Sequence, residues 1–238
     1  MLWLIRLIFT LYSLGSLIFS IVYYDSSAWP VFLTNWGLVL TTGYFLAALL
    51  VSGYYLYRSK ESSMAPSDVP MYTTGEQQQP HSSEDNWSTI NLLPLPVKLF
   101  WFWYEATFSI VLSLTLLYWT LIRSEKQFAT STLSFSYIND HGGLFILLVI
   151  DFCYSQIPFR ILHYLYILIL VTVYLVVTVI YNFASGKAVY PDVLDWKEKP
   201  GWSAVYSIGA MILMGIAQMV FYGLCRLRSR IKKTDDSL

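Results

Sequence analysis

Long apolar stretches dominate this chain and set what it can become. A helix needs about 20 mostly apolar residues to cross a bilayer, and five stretches, residues 2–24, 31–57, 99–122, 161–183 and 203–225, meet that requirement. A sixth, residues 143–157, is shorter and carries Asp151, so hydropathy alone reads it either as a short span or as a buried or re-entrant segment. The expected fold is an all-α integral membrane protein, a six-transmembrane-helix bundle with both termini cytoplasmic; five spans is the alternative. Composition agrees: 56% of the 238 residues are hydrophobic, 18% aromatic and only 13% charged, about half the charged fraction usual in soluble chains. Fifteen basic and fifteen acidic residues cancel, so overall charge supports no nucleic-acid partner. Cys153 and Cys225 form neither a disulfide framework nor a metal-ligand spacing.

The chain divides into transmembrane helices 1 and 2 over residues 1–57, a polar loop over 58–98, helices 3 to 6 over 99–225, and a basic tail over 226–238. The first run is too long for the core of a signal peptide, and no A-x-A-like cleavage site follows it, so a retained helix is expected. The 58–98 insert is rich in Ser, Pro, Gln and Glu and nearly free of aliphatic residues before Ile90, the composition of a disordered loop. With the N-terminus inside, ten of the fifteen lysines and arginines fall on the cytoplasmic side, half of them in the tail from Arg226 to Lys233. One signal disagrees: Asn86-Trp87-Ser88 is a glycosylation sequon in a loop that this orientation places in the cytoplasm.

Most catalytic templates are absent: no G-x-S-x-G elbow, phosphate-binding loop, H-E-x-x-H or C-x-x-C occurs. His141 and His163 begin the fourth and fifth helices, which puts them on opposite membrane faces about 30 Å apart and disfavours a shared haem or metal site. No cofactor or metal is expected. Topology does place Thr34, near the start of the second helix, in the same leaflet as His141, together with the loop holding Tyr190-Pro191 and Asp195-Trp196. A hydroxyl and an imidazole at similar depth make a nucleophile and general base geometrically feasible. Each also has a plainer reading: Thr34 and Asn35 suit a helix N-cap with Trp36 in the aromatic belt, and His141 suits a polar loop. Asp151, ten residues and about 15 Å beyond His141, must find a partner, stay protonated or face a wet cavity. Glu105 is the other intramembrane carboxylate, expected to pair with Lys98 or Arg160. Cys225, ahead of Arg226, Arg228 and Arg230, is either a juxtamembrane palmitoylation site or a buried thiol. The glycines of the second and sixth helices read as sites of close packing.

Taken in order, several pieces resemble the rolling stone family of multi-span membrane proteins: Phe32-Leu33-Thr34-Asn35-Trp36-Gly37, Leu95-Pro96 with Trp103-Tyr104, Leu117-Tyr118-Trp119-Thr120, His141-Gly142 with Ile150-Asp151, Ile157-Pro158 with Arg160-Ile161-Leu162-His163, and Tyr190-Pro191 with Leu194-Asp195-Trp196. That family is distantly similar to the androgen-induced membrane proteins, threonine hydrolases of fatty acid esters of hydroxy fatty acids. The resemblance implies a catalytic threonine at Thr34 and a catalytic histidine at His141; the chemistry adds Asn35 as an oxyanion donor and Asp151, ten residues after His141, as a support for the imidazole. The long polar insert departs from the pattern.

Two functions follow as expectations. One is an intramembrane lipid-ester hydrolase in which His141 takes the Thr34 proton and the alkoxide attacks an ester carbonyl, with Asn35 or helix-start N–H groups as oxyanion donors. The other is a non-catalytic multi-span protein of cell adhesion or cell fusion, the myoblast-fusion association of the family. A transporter is a third class, but Glu105 and Asp151 lie at different depths and make a thin pathway. The expected partners are membrane lipid and a lipid-ester substrate, with no nucleic acid, in the plasma membrane or endoplasmic reticulum.

Overall fold

A computed structural model describes residues 2–23, 28–64, 95–122 and 138–235. Six α-helices carry the fold: α1 (Leu2–Tyr23), α2 (Leu33–Met64), α3 (Leu95–Leu117), α4 (Leu144–Tyr154), α5 (Tyr164–Ser185) and α6 (Pro200–Asp235). Five helices are long and apolar enough to cross a membrane. α4 is short, but a π turn, Asn139–Gly143, runs into its start, and together they reach roughly 25 Å at the usual helical rise.

Local chemistry sets the boundaries. Pro30 sits in the first turn of a 3-10 segment, Trp29–Val31, that leads into α2, where a missing N–H costs nothing. α4 stops where Ser155 turns extended, three residues before Pro158, whose ring disfavours helix in the residue before it. Gly186, at φ 71°, ends α5 in the left-handed conformation that glycine adopts without strain. α6 opens on Pro200. Among the described residues the only strand-like pairing is a single bridge between Tyr190 and Leu194 in the α5–α6 loop.

Helix direction follows from the side chains that meet. Asn139 bonds Tyr12 and Ser16 on the later half of α1, whereas Asp151 bonds Arg6 at the beginning of α1. α4 therefore runs antiparallel to α1 through the depth of the bundle, and the six helices alternate in direction. Arg228 near the end of α6 donates to the Ser155 and Phe152 carbonyls at the end of α4. Both chain ends thus lie at one end of the bundle, called here the terminal end; the other is the loop end. α2 continues to Met64 and α3 begins at Leu95, so the polar loop expected over 58–98 is helical at both margins. Residues 65–94, including the sequon, lie outside the described residues. The tail expected from residue 226 continues α6 as helix to Asp235.

The core is aromatic. Tyr44 and Phe45 of α2, Tyr104 and Phe108 of α3, Phe152 of α4, Phe159 of the α4–α5 turn and Phe221 of α6 form one cluster, with ring centroids 4.7–6.1 Å apart among these pairs. A smaller aliphatic cluster, with Ile110, Ile167, Val171 and Met214, joins α3, α5 and α6.

Candidate functional site

At the loop end, Thr34 occupies the first turn of α2 and is partly buried. The Tyr190 hydroxyl, brought across from the α5–α6 loop, meets the Thr34 side chain and the Leu33 and Thr34 main chain. It stands at the start of α2, where a helix leaves backbone donors open. Burial pushes the Tyr190 phenol above its ordinary range, so it stays protonated at neutral pH. Tyr174 of α5 completes the cluster, donating to the Val31 carbonyl at 3.1 Å. Asn35 faces the other way: its amide donates to the Trp29 carbonyl at 2.6 Å and its carbonyl accepts from Ser20 at 3.3 Å. It ties α1 to the α2 entrance, and both of its polar ends are occupied.

Beside this cluster lies an apolar cavity of about 70 Å³. Leu117 of α3, Leu175 of α5 and Ala210 of α6 wall it, and Tyr190 and Leu194 of the loop roof it.

His141 lies in the π turn ahead of α4 and is buried. Its ring stacks on Tyr118 with centroids 3.6 Å apart and planes within 2°, and its carbonyl accepts from Trp119 Nε1 at 3.0 Å. Both contacts come from a second π turn, Tyr118–Ile122, that closes α3. Its Nδ1 is buried without a hydrogen-bond partner. Thr34 and His141 thus share the loop end, and no hydrogen bond joins them: Thr34 is engaged by Tyr190, and His141 by the end of α3.

Asp151 sits far from this pair, towards the terminal end, fully buried. Arg6 Nε donates to its Oδ1 at 2.9 Å and Nη2 to its Oδ2 at 3.3 Å, while the Tyr44 hydroxyl donates to Oδ2. The remaining Arg6 nitrogen bonds Ser52 Oγ at 2.6 Å. This network satisfies both charges, as burial in hydrocarbon demands, and leaves Asp151 no bond to His141. Arg6 was visible in the sequence as a charge inside an apolar run; Tyr44 and Ser52 carried no signal.

Glu105 anchors a second buried network at the same end. It accepts from Gln218 Nε2 at 2.5 Å and from the Arg160 main-chain N–H at 3.1 Å, and His163 Nδ1 lies 3.0 Å away. The expected partner Arg160 thus contributes its backbone, while its guanidinium lies over the Trp101 ring at 4.4 Å. Gln218, unremarked within an apolar run, also bonds Ser109 and the Arg160 carbonyl. Cys225 is buried, with Sγ 3.8 Å from the Ile157 carbonyl. Among the described residues no group of three or more His, Cys, Asp or Glu side chains is arranged to hold a metal ion.

Antiparallel apolar helices, charges paired inside the bundle and aromatic rings at the helix ends define a multi-pass helical membrane protein. Within that class the assignment is specific: the family model described as Protein rolling stone matches residues 1–236, and the chain belongs to the rolling stone family. Protein rolling stone of Drosophila melanogaster is 26% identical over 231 residues, covering 94% of this chain and 76% of that protein. No solved structure matches.

Proposed function

We propose that this chain is an intramembrane hydrolase of lipid esters, acting on fatty acid esters of hydroxy fatty acids or similar lipids, with Thr34 as nucleophile and His141 as base. The observation that carries the reading is His141: a buried imidazole with an uncommitted Nδ1, held in plane by Tyr118, at the same end of the bundle as Thr34. An uncommitted ring nitrogen in a buried site is what a general base needs before substrate arrives. In the reaction, Nδ1 takes the Thr34 proton while Oγ1 bonds to the ester carbonyl carbon. The carbon–oxygen bond to the alcohol breaks, the alcohol leaves with the proton from His141, and water then hydrolyses the acyl-threonine. For this, Thr34 must leave Tyr190 and turn to His141, a rearrangement that substrate binding has to drive.

One observation favours a second reading, a non-catalytic membrane protein of cell adhesion or fusion: Thr34 is already engaged by Tyr190 rather than by His141. A fluorophosphonate probe decides between them. Labelling of the membrane-embedded protein that disappears in both Thr34→Ala and His141→Gln, each verified as folded, is the expected result. Absence of labelling in folded wild-type protein overturns the hydrolase and leaves the second reading.

A further inference from the structure

We infer that the apolar cavity beside Thr34 is the seat of a lipid acyl chain, with the lipid's polar end at the Thr34–Tyr190 contact. The inference deepens the hydrolase reading by placing the tail of its substrate, and it can stand if that reading falls.

The cavity walls come from three helices that span the membrane, α3, α5 and α6. Its surroundings are therefore hydrocarbon. The lining is mainly aliphatic: Leu114, Leu117, Val171 and Ala210 supply methyl and methylene groups. Four polar side chains also line it: Tyr174 donates to the Val31 carbonyl and Ser207 to the Ser203 carbonyl, and Tyr190 and Tyr206 are the other two. With so few polar groups on its wall, such a space holds water poorly. An empty space of this size forfeits dispersion contacts along its whole lining. A flexible methylene chain from the adjoining bilayer restores those contacts without desolvating anything.

The cavity also has a direction. Its roof is the α5–α6 loop, where Tyr190, Val193 and Leu194 close over it, and Leu33, the neighbour of Thr34, forms one corner. Tyr190 therefore lines the loop end of a mainly apolar space, with Thr34 next to the lining residue Leu33. An amphiphile fits in one sense only, with its tail between α3, α5 and α6 and its ester or carboxyl group at Thr34. In that pose Tyr190 is a positioning residue: it must exchange Thr34 for the lipid's carbonyl, which frees the threonine hydroxyl. The ligand class is a single-chain or branched long-chain acyl lipid, with the ester oxygens at one end of the occupied chain.

The test uses full-length protein in membranes and a long-chain fatty acid carrying a mid-chain diazirine and a terminal alkyne. Irradiation is expected to place the label on the cavity residues of α3, α5 and α6. Ala210→Trp, which fills the cavity, is expected to lose this cross-link, and Val205→Trp, on the exposed face of the same helix, to keep it. Leu175→Trp blocks the cavity from α5 and covers the case in which Ala210→Trp does not fold. Label spread over exposed helix faces with no preference for the cavity, or label retained in folded blocked variants, overturns the proposal. A cavity cross-link without fluorophosphonate labelling keeps the acyl site and removes the hydrolase. Fluorophosphonate labelling of Thr34 without a cavity cross-link does the reverse.

Discussion

Asp151 holds two donors that have no other comparable acceptor, and its removal leaves the Arg6 guanidinium buried without a counter-charge. Breaking a buried pair from one side costs roughly 3–5 kcal/mol, whereas replacing both partners by apolar groups can be neutral. Asp151→Leu is therefore expected to lower the thermal midpoint in detergent sharply, and Arg6→Met with Asp151→Leu to recover most of the loss. Tyr190 offers a milder case. Tyr190→Phe removes the hydroxyl that faces the start of α2 and is expected to cost about 1 kcal/mol, read as faster hydrogen exchange at residues 33–36. Because burial raises the Tyr190 pKa, the folded state favours the protonated phenol. Its contribution is present below the ordinary tyrosine value of about 10 and falls as pH rises beyond it, so a pH series should leave the contact unchanged through neutrality and weaken it in alkali. Of these side chains, Asp151 was legible in the sequence as a charge requiring a partner, but a partner 145 positions away leaves no local pattern. Tyr190 was visible only as part of a loop facing Thr34.

Between helices, glycine acts where the structure leaves no room for more. A Cβ at Gly43 would stand 2.2 Å from the Trp103 ring, and that ring is held by its Nε1 bond to the Leu40 carbonyl. Gly43→Ala is expected to force α2 and α3 apart at a cost of about 1–3 kcal/mol, measured as a lower midpoint with altered tryptophan emission. Gly209→Ala meets nothing within 4 Å and is expected to be within about 0.5 kcal/mol of wild type. The sequence reading assigned packing roles to both, since a small residue in an apolar run looks the same whether it faces a neighbour or lipid. Helix existence was legible for a sturdier reason: an apolar run of spanning length has few alternatives in a bilayer. The ends were less legible. Helical backbone continues into polar sequence at Met64 and Asp235, where hydropathy sees only the loss of apolar character.

Taken whole, the bundle is chemically lopsided: both buried carboxylate networks lie at the terminal end, while the loop end holds the aromatic stack and the apolar cavity. The alternation of six helices places both chain ends on one side, and tags at the two termini are expected to be protected from, or exposed to, an added protease together. An engineered glycosylation site in the 186–199 loop should report the opposite side. The Arg6–Asp151 pair also bears on how the protein is made. Helix 1 leaves the ribosome carrying a cation, and the anion that neutralises it is synthesised 145 residues later. The partners available earlier, the Ala48 carbonyl and Ser52, are both uncharged. Insertion of the first span must therefore stay provisional until the fourth emerges, and a chain truncated before Asp151 should be retained by the insertion machinery and degraded.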